Sequence, residues 1–208
     1  MVKLQATHLG DVRFYRVYDP PAGRSLWVAF QGRGFLDYWA LARGEQRFEV
    51  AVGPHRGVFG KVLRDVVWAE AYPLLSPQVM NVLREASLTG WTTYSCRLLP
   101  GVPAELAAYQ GLAVTGRCDK VRIDREHSEI VVDPDPYRRG HFYRGLYVDR
   151  ASWDGSDFVM SAEGGVQLVV TGRVVKAFKA ARISNIRFVP VEEVMVSAVD
   201  LDSNPPGS

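Results

Sequence analysis

An α+β fold, with mostly antiparallel or mixed sheets and a few amphipathic helices, follows from three features of this sequence. Short runs of alternating apolar and polar residues recur, as in "WTTYSCRLL" (91–99). "SPQVMNVLREASLTG" (76–90) carries apolar residues at helical spacing between a start signal and a stop signal. The last third strings together a strand, a helix and a strand, "VQLVV" (166–170), the stretch from Gly172, and "IRFVPV" (186–191). The chain has 208 residues, 47% of them apolar and 23% charged, so it can bury a real core.

The elements read as follows. "RFYRVYD" (13–19) and "SLWVAFQ" (25–31) are strands separated by the turn "DPPAG" (19–23). Leu26, Val28 and Phe30 share one face of the second strand, and Trp27 and Ala29 share the other, so both faces are expected to be covered. "GFLDYWALARG" (34–44) places Phe35, Trp39 and Ala42 on one side of a short helix ended by Gly44. "RFEVAVG" (47–53) is another strand, and "GPHRGVFG" (53–60) holds too much Gly and Pro for regular structure. Ser76 is an N-cap for the next helix and Pro77 fits its first position; Val79, Leu83 and Ala86 form its stripe and Gly90 its stop. Residues 91–99 alternate as one half-buried strand, and "PAELAAYQ" forms a helical turn or two. "GLAVTGR" (111–117) and "SEIVVD" (128–133) are further strands. Thr171 is expected to cap the helix from Gly172, with Val174, Phe178 and Ala181 buried. Pro190 places the strand that follows at a sheet edge or ends it there. Residues 1–60 read as a β-rich N-terminal part and 61–200 as an α+β part, or both as one continuous domain 1–200; residues 201–208 are expected to form a mobile tail.

Composition narrows the function. A formal net charge of +2 is too small an excess to announce a nucleic-acid partner. No run reaches the roughly 18 apolar residues of a membrane span. Asp11, Arg13 and Arg16 interrupt the N-terminus, which therefore lacks a signal-peptide segment, and a cytoplasmic protein is expected. Cys96 and Cys118 stand alone, outside any CxxC pair, and read as small buried side chains.

The chemistry-bearing motifs are few. "GPHRGVFGK" is similar to a P-loop only in Gly60–Lys61: His55 stands where the first Gly belongs and Val62 where Ser or Thr belongs. His8, His55, His127 and His141 include no pair at i, i+3 or i+4, so no helix presents a metal pair; neither metal nor cofactor is expected. "VVDPDPYRRGHFYRG" gathers Asp133, Asp135, Tyr137, Arg138, Arg139, His141 and Arg144. It is a recognition loop for a carboxylate or phosphate, or a solvated loop whose charges pair with each other. The same segment interleaves aromatic and basic residues, the pattern of an RNA-binding module. Arg173, Lys176, Lys179 and Arg182 are the wet side of their helix, or a face for an acidic partner. "SWDGSDFV" (152–159) sets Trp153, Asp154 and Asp157 around a Gly turn. A structural turn is preferred there over an acid pair. The rival reading is a small-molecule-binding protein or hydrolase-like enzyme, with a site near 133–144 and 152–158.

The order "YQGLAVTGRCDKVRIDREHSEI", "YRGLYVDRASWDGSDFVM", "LVVTGRVVKAFKAARISNIRFVPVEEV" resembles the C-terminal half of immunity proteins of bacterial polymorphic-toxin systems, the wider set around the double-CxxCG immunity proteins. Tyr109, Asp124, Ser128, Ser156, Asp157, Phe158, Thr171, Val174, Ala177, Ile186, Phe188 and Pro190 carry the resemblance, which spans residues 60–195, and "FGKVLRDVVW" to "LLSPQVMNVLREASLTG" looks like the central helix region. The two CxxCG pairs are absent, so no zinc site comes with it. The resemblance implies a non-catalytic protein, a monomer or small homo-oligomer, that binds and neutralises a cognate protein toxin. Its interface residues would be sought among Asp133, Asp135, Tyr137, Arg138, Arg139, His141, Trp153, Asp154 and Asp157.

Overall fold

A computed structural model describes residues 12–21, 23–31, 38–43, 45, 50–55, 60–124, 126–132, 141–162 and 167–197. From the N-terminus come β1 (Phe14–Tyr18), β2 (Trp27–Gln31), α1 (Tyr38–Arg43) and β3 (Val50–Pro54). A hairpin of β4 (Val66–Ala69) and β5 (Tyr72–Leu75) leads to α2 (Pro77–Glu85), then β6 (Trp91–Tyr94) and β7 (Cys96–Leu98). A 3-10 turn at Ala104–Ala108 precedes β8 (Gln110–Val114), β9 (Arg117–Cys118), β10 (Val121–Arg122) and β11 (Glu129–Val132). There follow β12 (His141–Arg144), β13 (Tyr147–Val148), β14 (Phe158–Ser161), β15 (Val169–Thr171) and α3 (Gly172–Ala180). The chain then forms β16 (Arg187–Pro190), a 3-10 turn at Val191–Glu193, and β17 (Met195–Ser197). The architecture is α+β and largely β. Of the sequence expectations, residues 34–37, 44, 47–49, 56–59 and 201–208 lie outside the described residues.

Seven strands form a mixed sheet in the order β6-β8-β5-β4-β2-β3-β7. Its two ends, β6 and β7, are consecutive in the chain and separated only by Ser95. Residues 91–99 are therefore not one simple strand. Trp91–Tyr94 pairs antiparallel with β8, and Cys96–Leu98 pairs parallel with β3. This stretch links the two end strands of the ladder directly, so one short run of chain lies along both ends of the sheet. Val28, Phe30, Val50, Val52, Val66 and Leu74 of this sheet belong to the main core.

A second sheet, β16-β1-β15-β14-β9, is covered on both faces. In β1, Tyr15 and Val17 face the main core, while Phe14 and Tyr18 face a smaller one built with Cys118, Leu146, Val148 and Val191. In β15 and β14 the same division separates Val170 from Val169 and Phe158 from Val159. Period-two alternation that sends both sets of side chains into cores explains why these strands read as unbroken apolar runs. Helices α2 and α3 supply Val79, Leu83, Val174 and Phe178 to the main core. Two small sheets, β10-β13 and β11-β12-β17, complete the molecule. Strands from before and after residue 60 share both large sheets.

The sequence signals held where their physics is local. Ser76 accepts a hydrogen bond from the Val79 N–H and Pro77 opens α2. Pro190 lies in β16, an edge strand. Other elements differ. Gly53 and Pro54 continue β3 by pairing with Ala29 and Val28 rather than forming a loop. The segment taken as a central helix region is helical only from Pro77; Val66–Leu75 is a hairpin turning at Glu70, with φ +56°. Gly90 does not stop α2. The helix ends at Glu85, where the Ser87 N–H bonds to Arg84 O and the Leu88 N–H to Leu83 O, with Ser87 left-handed at φ +49°. α3 ends in the same way, with Arg182 at φ +54° and the Ile183 N–H on Phe178 O.

Both helices thus place a non-glycine residue in the left-handed region, which costs about 1–2 kcal/mol for a residue with a Cβ. Ser87→Gly and Arg182→Gly are each expected to raise stability by ~0.5–1 kcal/mol after the entropic cost of glycine. Urea unfolding reads this as a higher midpoint; a lower midpoint for both variants would contradict these helix ends.

Candidate functional site

The Gly turn at 152–158 is held by its own polar atoms and by the strand beside it. The Arg117 N–H donates to Asp154 Oδ2 at 2.9 Å, and the Asp154 N–H donates to Arg117 O at 3.1 Å. Asp154 Oδ1 accepts the Ser156 N–H at 3.0 Å and also the Ser156 hydroxyl. This is the Asx arrangement that a short acid before Gly favours, and Gly155 supplies φ +85°. Trp153 donates from Nε1 to Ser156 O at 3.0 Å and sets its ring edge-on to Phe14 at 5.1 Å. The indole seals the smaller core beneath the turn.

Asp157 is different in kind. Only 2% of it is exposed. Oδ1 accepts the Thr171 hydroxyl at 2.7 Å. Oδ2 accepts the Thr89 N–H at 3.0 Å, the Thr89 hydroxyl at 3.4 Å and Arg173 Nη1 at 2.8 Å. Arg173 Nη2 reaches back to Ala86 O at 3.2 Å, at the end of α2. One carboxylate therefore joins the end of α2, the start of β14 and the start of α3. It also lies near the N-terminus of a helix with no acid in its own first turn, where negative charge is favourable. The expected capping by Thr171 is corrected here: Thr171 is the N-cap residue, yet its hydroxyl goes to Asp157 and makes no bond to the helix. Donating to that carboxylate orients the hydroxyl, and no first-turn N–H donates to its oxygen.

Backbone packing explains two glycines. A Cβ on Gly90 would lie 2.4 Å from Phe158 O, and one on Gly116 would lie 1.9 Å from Ser156 Oγ. Ser156–Phe158 is pressed between these two glycines, so Gly90 serves close approach rather than helix termination. Each acid of the turn also meets a Thr-Gly-Arg triplet: Asp154 meets Thr115–Arg117 through the Arg117 backbone, and Asp157 meets Thr171–Arg173 through its side chains. Arg173, Lys176, Lys179 and Arg182 are all exposed as expected for a wet face, and Arg173 also reaches the buried Asp157.

The remaining predicted site residues divide in two. Asp133, Asp135, Tyr137, Arg138 and Arg139 lie outside the described residues. His141 and Arg144 lie in β12, so the predicted loop ends as a strand, paired with β11. Arg144 Nη1 is 3.9 Å from Glu129 Oε2. Tyr143, one ring of the aromatic-basic pattern, is 6% exposed and offers no face to a base.

A groove of about 520 Å³ lies between β12, β13 and the turn at Val191, lined by His127, Glu129, Arg144, Tyr147, Asp149 and Arg150 among others. No residue of 152–158 lines it. Asp149 is held below the usual carboxylate range, chiefly by the Ser152 hydroxyl at 2.8 Å. At the groove's rim, oxygen and nitrogen atoms of Asp124, Glu126 and His127 lie within 4.8 Å of one another, a grouping that could hold a cation. The Asp124 carboxylate has partners already: the Glu126 N–H bonds to it at 2.9 Å, which is the main reason that carboxyl is held low, and His127 Nδ1 lies 3.4 Å from it. His127 stacks on Tyr147 at 4.4 Å. Cys118 is buried and donates to Lys120 O; burial pushes its thiol up to about 11.

No protein-family model matches this chain, and no curated protein matches it.

Asp157→Ala is expected to cost about 2–4 kcal/mol in urea unfolding, because it strands the Thr89 N–H and the Thr171 hydroxyl. Asp154→Ala, at an exposed turn, should cost about 1 kcal/mol; equal costs would contradict the difference between the two acids. For Cys118 the folded value lies above the unfolded one, so its contribution is present below pH 9.0 and is lost as pH rises towards about 11. Native protein at pH 8 should resist iodoacetamide at Cys118, and urea-unfolded protein should react.

Proposed function

We propose that this chain is a non-catalytic immunity protein that acts in the cytoplasm by docking onto a cognate protein toxin. The observation that carries the reading is the free edge of β11. Ile130 is 61% exposed and Val132 77%, on a strand that among the described residues pairs on one side only, with β12. An edge strand with unpaired backbone groups and bare apolar side chains is a template for a partner's strand, and most proteins blunt such edges. Four residues cannot fill a protein interface of about 800 Å² per partner. The chain runs from Val132 directly into 133–140, whose aspartates and arginines would supply the polar rim.

The acids at 152–158 also favour binding over catalysis. Both carboxylates are occupied by donors of the protein itself, and a general acid or base needs an oxygen free to meet substrate. Among the described residues no helix is long and apolar enough to cross a membrane.

The test is co-expression with the toxin domain encoded by the neighbouring gene. Wild type should restore growth and co-purify with the toxin. Ile130→Lys together with Val132→Lys should weaken binding at least ~30-fold, or about 2 kcal/mol, while leaving the unfolding midpoint nearly unchanged, as exposed substitutions do. A folded wild-type protein that neither protects nor binds would overturn the reading.

A further inference from the structure

Arg16 and Tyr18 stand on the same face of β1, one pleat apart, and Arg187 of the edge strand β16 lies directly opposite Tyr18. The Arg16 guanidinium sits 4.3 Å from the centre of the Tyr18 ring and the Arg187 guanidinium 5.0 Å from it. A single cation over a ring is an ordinary contact worth ~0.5–1 kcal/mol. Two cations sharing one ring also repel each other.

The environment sharpens that cost. Arg16 is half-buried, with Val169 and Val189 as its cross-strand neighbours on the side of the smaller core. Loss of water lowers its pKa, and Tyr18 offsets only part of that effect. Among the described residues neither guanidinium meets a carboxylate. Other arginines of this chain are matched: Arg173 with Asp157, Arg144 with Glu129, and Arg117 with the carbonyls of Val114 and Gly116. A guanidinium presents paired N–H groups in a fork that fits two oxygens at once. An oxyanion in reach of both would replace the water lost by Arg16 and cancel the repulsion.

We propose that Arg16 and Arg187, held by the Tyr18 ring at the β16 edge, form a binding site for an oxyanion, a phosphate or carboxylate group. Arg187 is exposed and gives the ligand its entry. The site is separate from the free edge of β11 and does not rest on the docking function.

The experiment titrates the full chain with inorganic phosphate at constant ionic strength, balanced with chloride, and reads the arginine Nε–Hε signals by NMR. A parallel titration uses a short glutamate-rich peptide. Saturable shifts of Arg16 and Arg187 are expected in at least one of the two. Phosphate alone would mark a free anion as ligand, and the peptide alone would mark an acidic segment. Arg187→Gln should weaken the binding at least tenfold without moving the unfolding midpoint, because that side chain is exposed. Arg16→Lys should weaken it less, keeping charge but losing the fork. No saturable binding of either probe, or binding unchanged in Arg187→Gln, overturns the proposal.

Discussion

The carboxylate of Asp157 is the point on which the arrangement of elements turns. Putting an ion out of water costs several kcal/mol unless its oxygens are fully engaged. Here four donor groups from three places in the chain converge on it: the Thr89 backbone and hydroxyl, the Thr171 hydroxyl and the Arg173 guanidinium. Those donors are correct only if α2 ends, β14 begins and α3 begins where they do. The Thr89 carbonyl closes the same joint by accepting the N–H groups of Asp157 and Phe158. The glycines at 90 and 116 let the backbones come close enough for this to happen. A network of this kind specifies one packing more than it adds net stability, since an apolar replacement of the right shape would also avoid the cost of desolvation.

Around that joint the two large sheets solve one problem in different ways. The seven-stranded ladder ties its two end strands together through residues 91–98. The five-stranded sheet hides its faces by separating two cores, with Tyr15 and Val17 on one side and Phe14 and Tyr18 on the other. The turn at Ser184–Asn185 fastens one to the other. Ser184 bonds to Asp65, the Asn185 side chain donates to Val66 O, and Trp68 donates from Nε1 to Asn185 O. Among the described residues the small sheet β11-β12-β17 carries three of the exposed large apolar side chains, Ile130, Val132 and Met195. β11 differs from the edge strand β16, which carries Pro190, in presenting two exposed branched apolar side chains, and that makes it informative about binding.

Local chemistry was readable in the sequence and long-range chemistry was not. Ser76–Pro77 announces a helix because cap and first turn are neighbours in the chain. Pro190 announces an edge because it lacks an N–H. The hairpin at Val66–Leu75 was hidden because its turn uses Glu70 in the left-handed region instead of Gly or Asn, and because Pro73 sits within a strand. That proline is tolerated because β8 pairs only with Leu74 and Leu75, beyond it. The break at Ser95 is invisible to a period of two, which runs through it unchanged. In the candidate site, the preference for a structural turn at 152–158 rested on Asp-Gly chemistry and agrees with the Asp154 geometry. Asp157 could not be assigned, because Thr89 lies 68 residues away and Arg173 reads as one more charge on a wet helix face.

The Asp157 joint is part of the cooperative core and not an adjustable loop awaiting a ligand. Native-state amide hydrogen exchange is the decisive test. The amides of Thr89, Asp157 and Thr171 should exchange only through global unfolding, in the same slow class as Val170 and Leu83. Exchange of those three amides by local opening, while Val170 and Leu83 stay protected, would contradict the account.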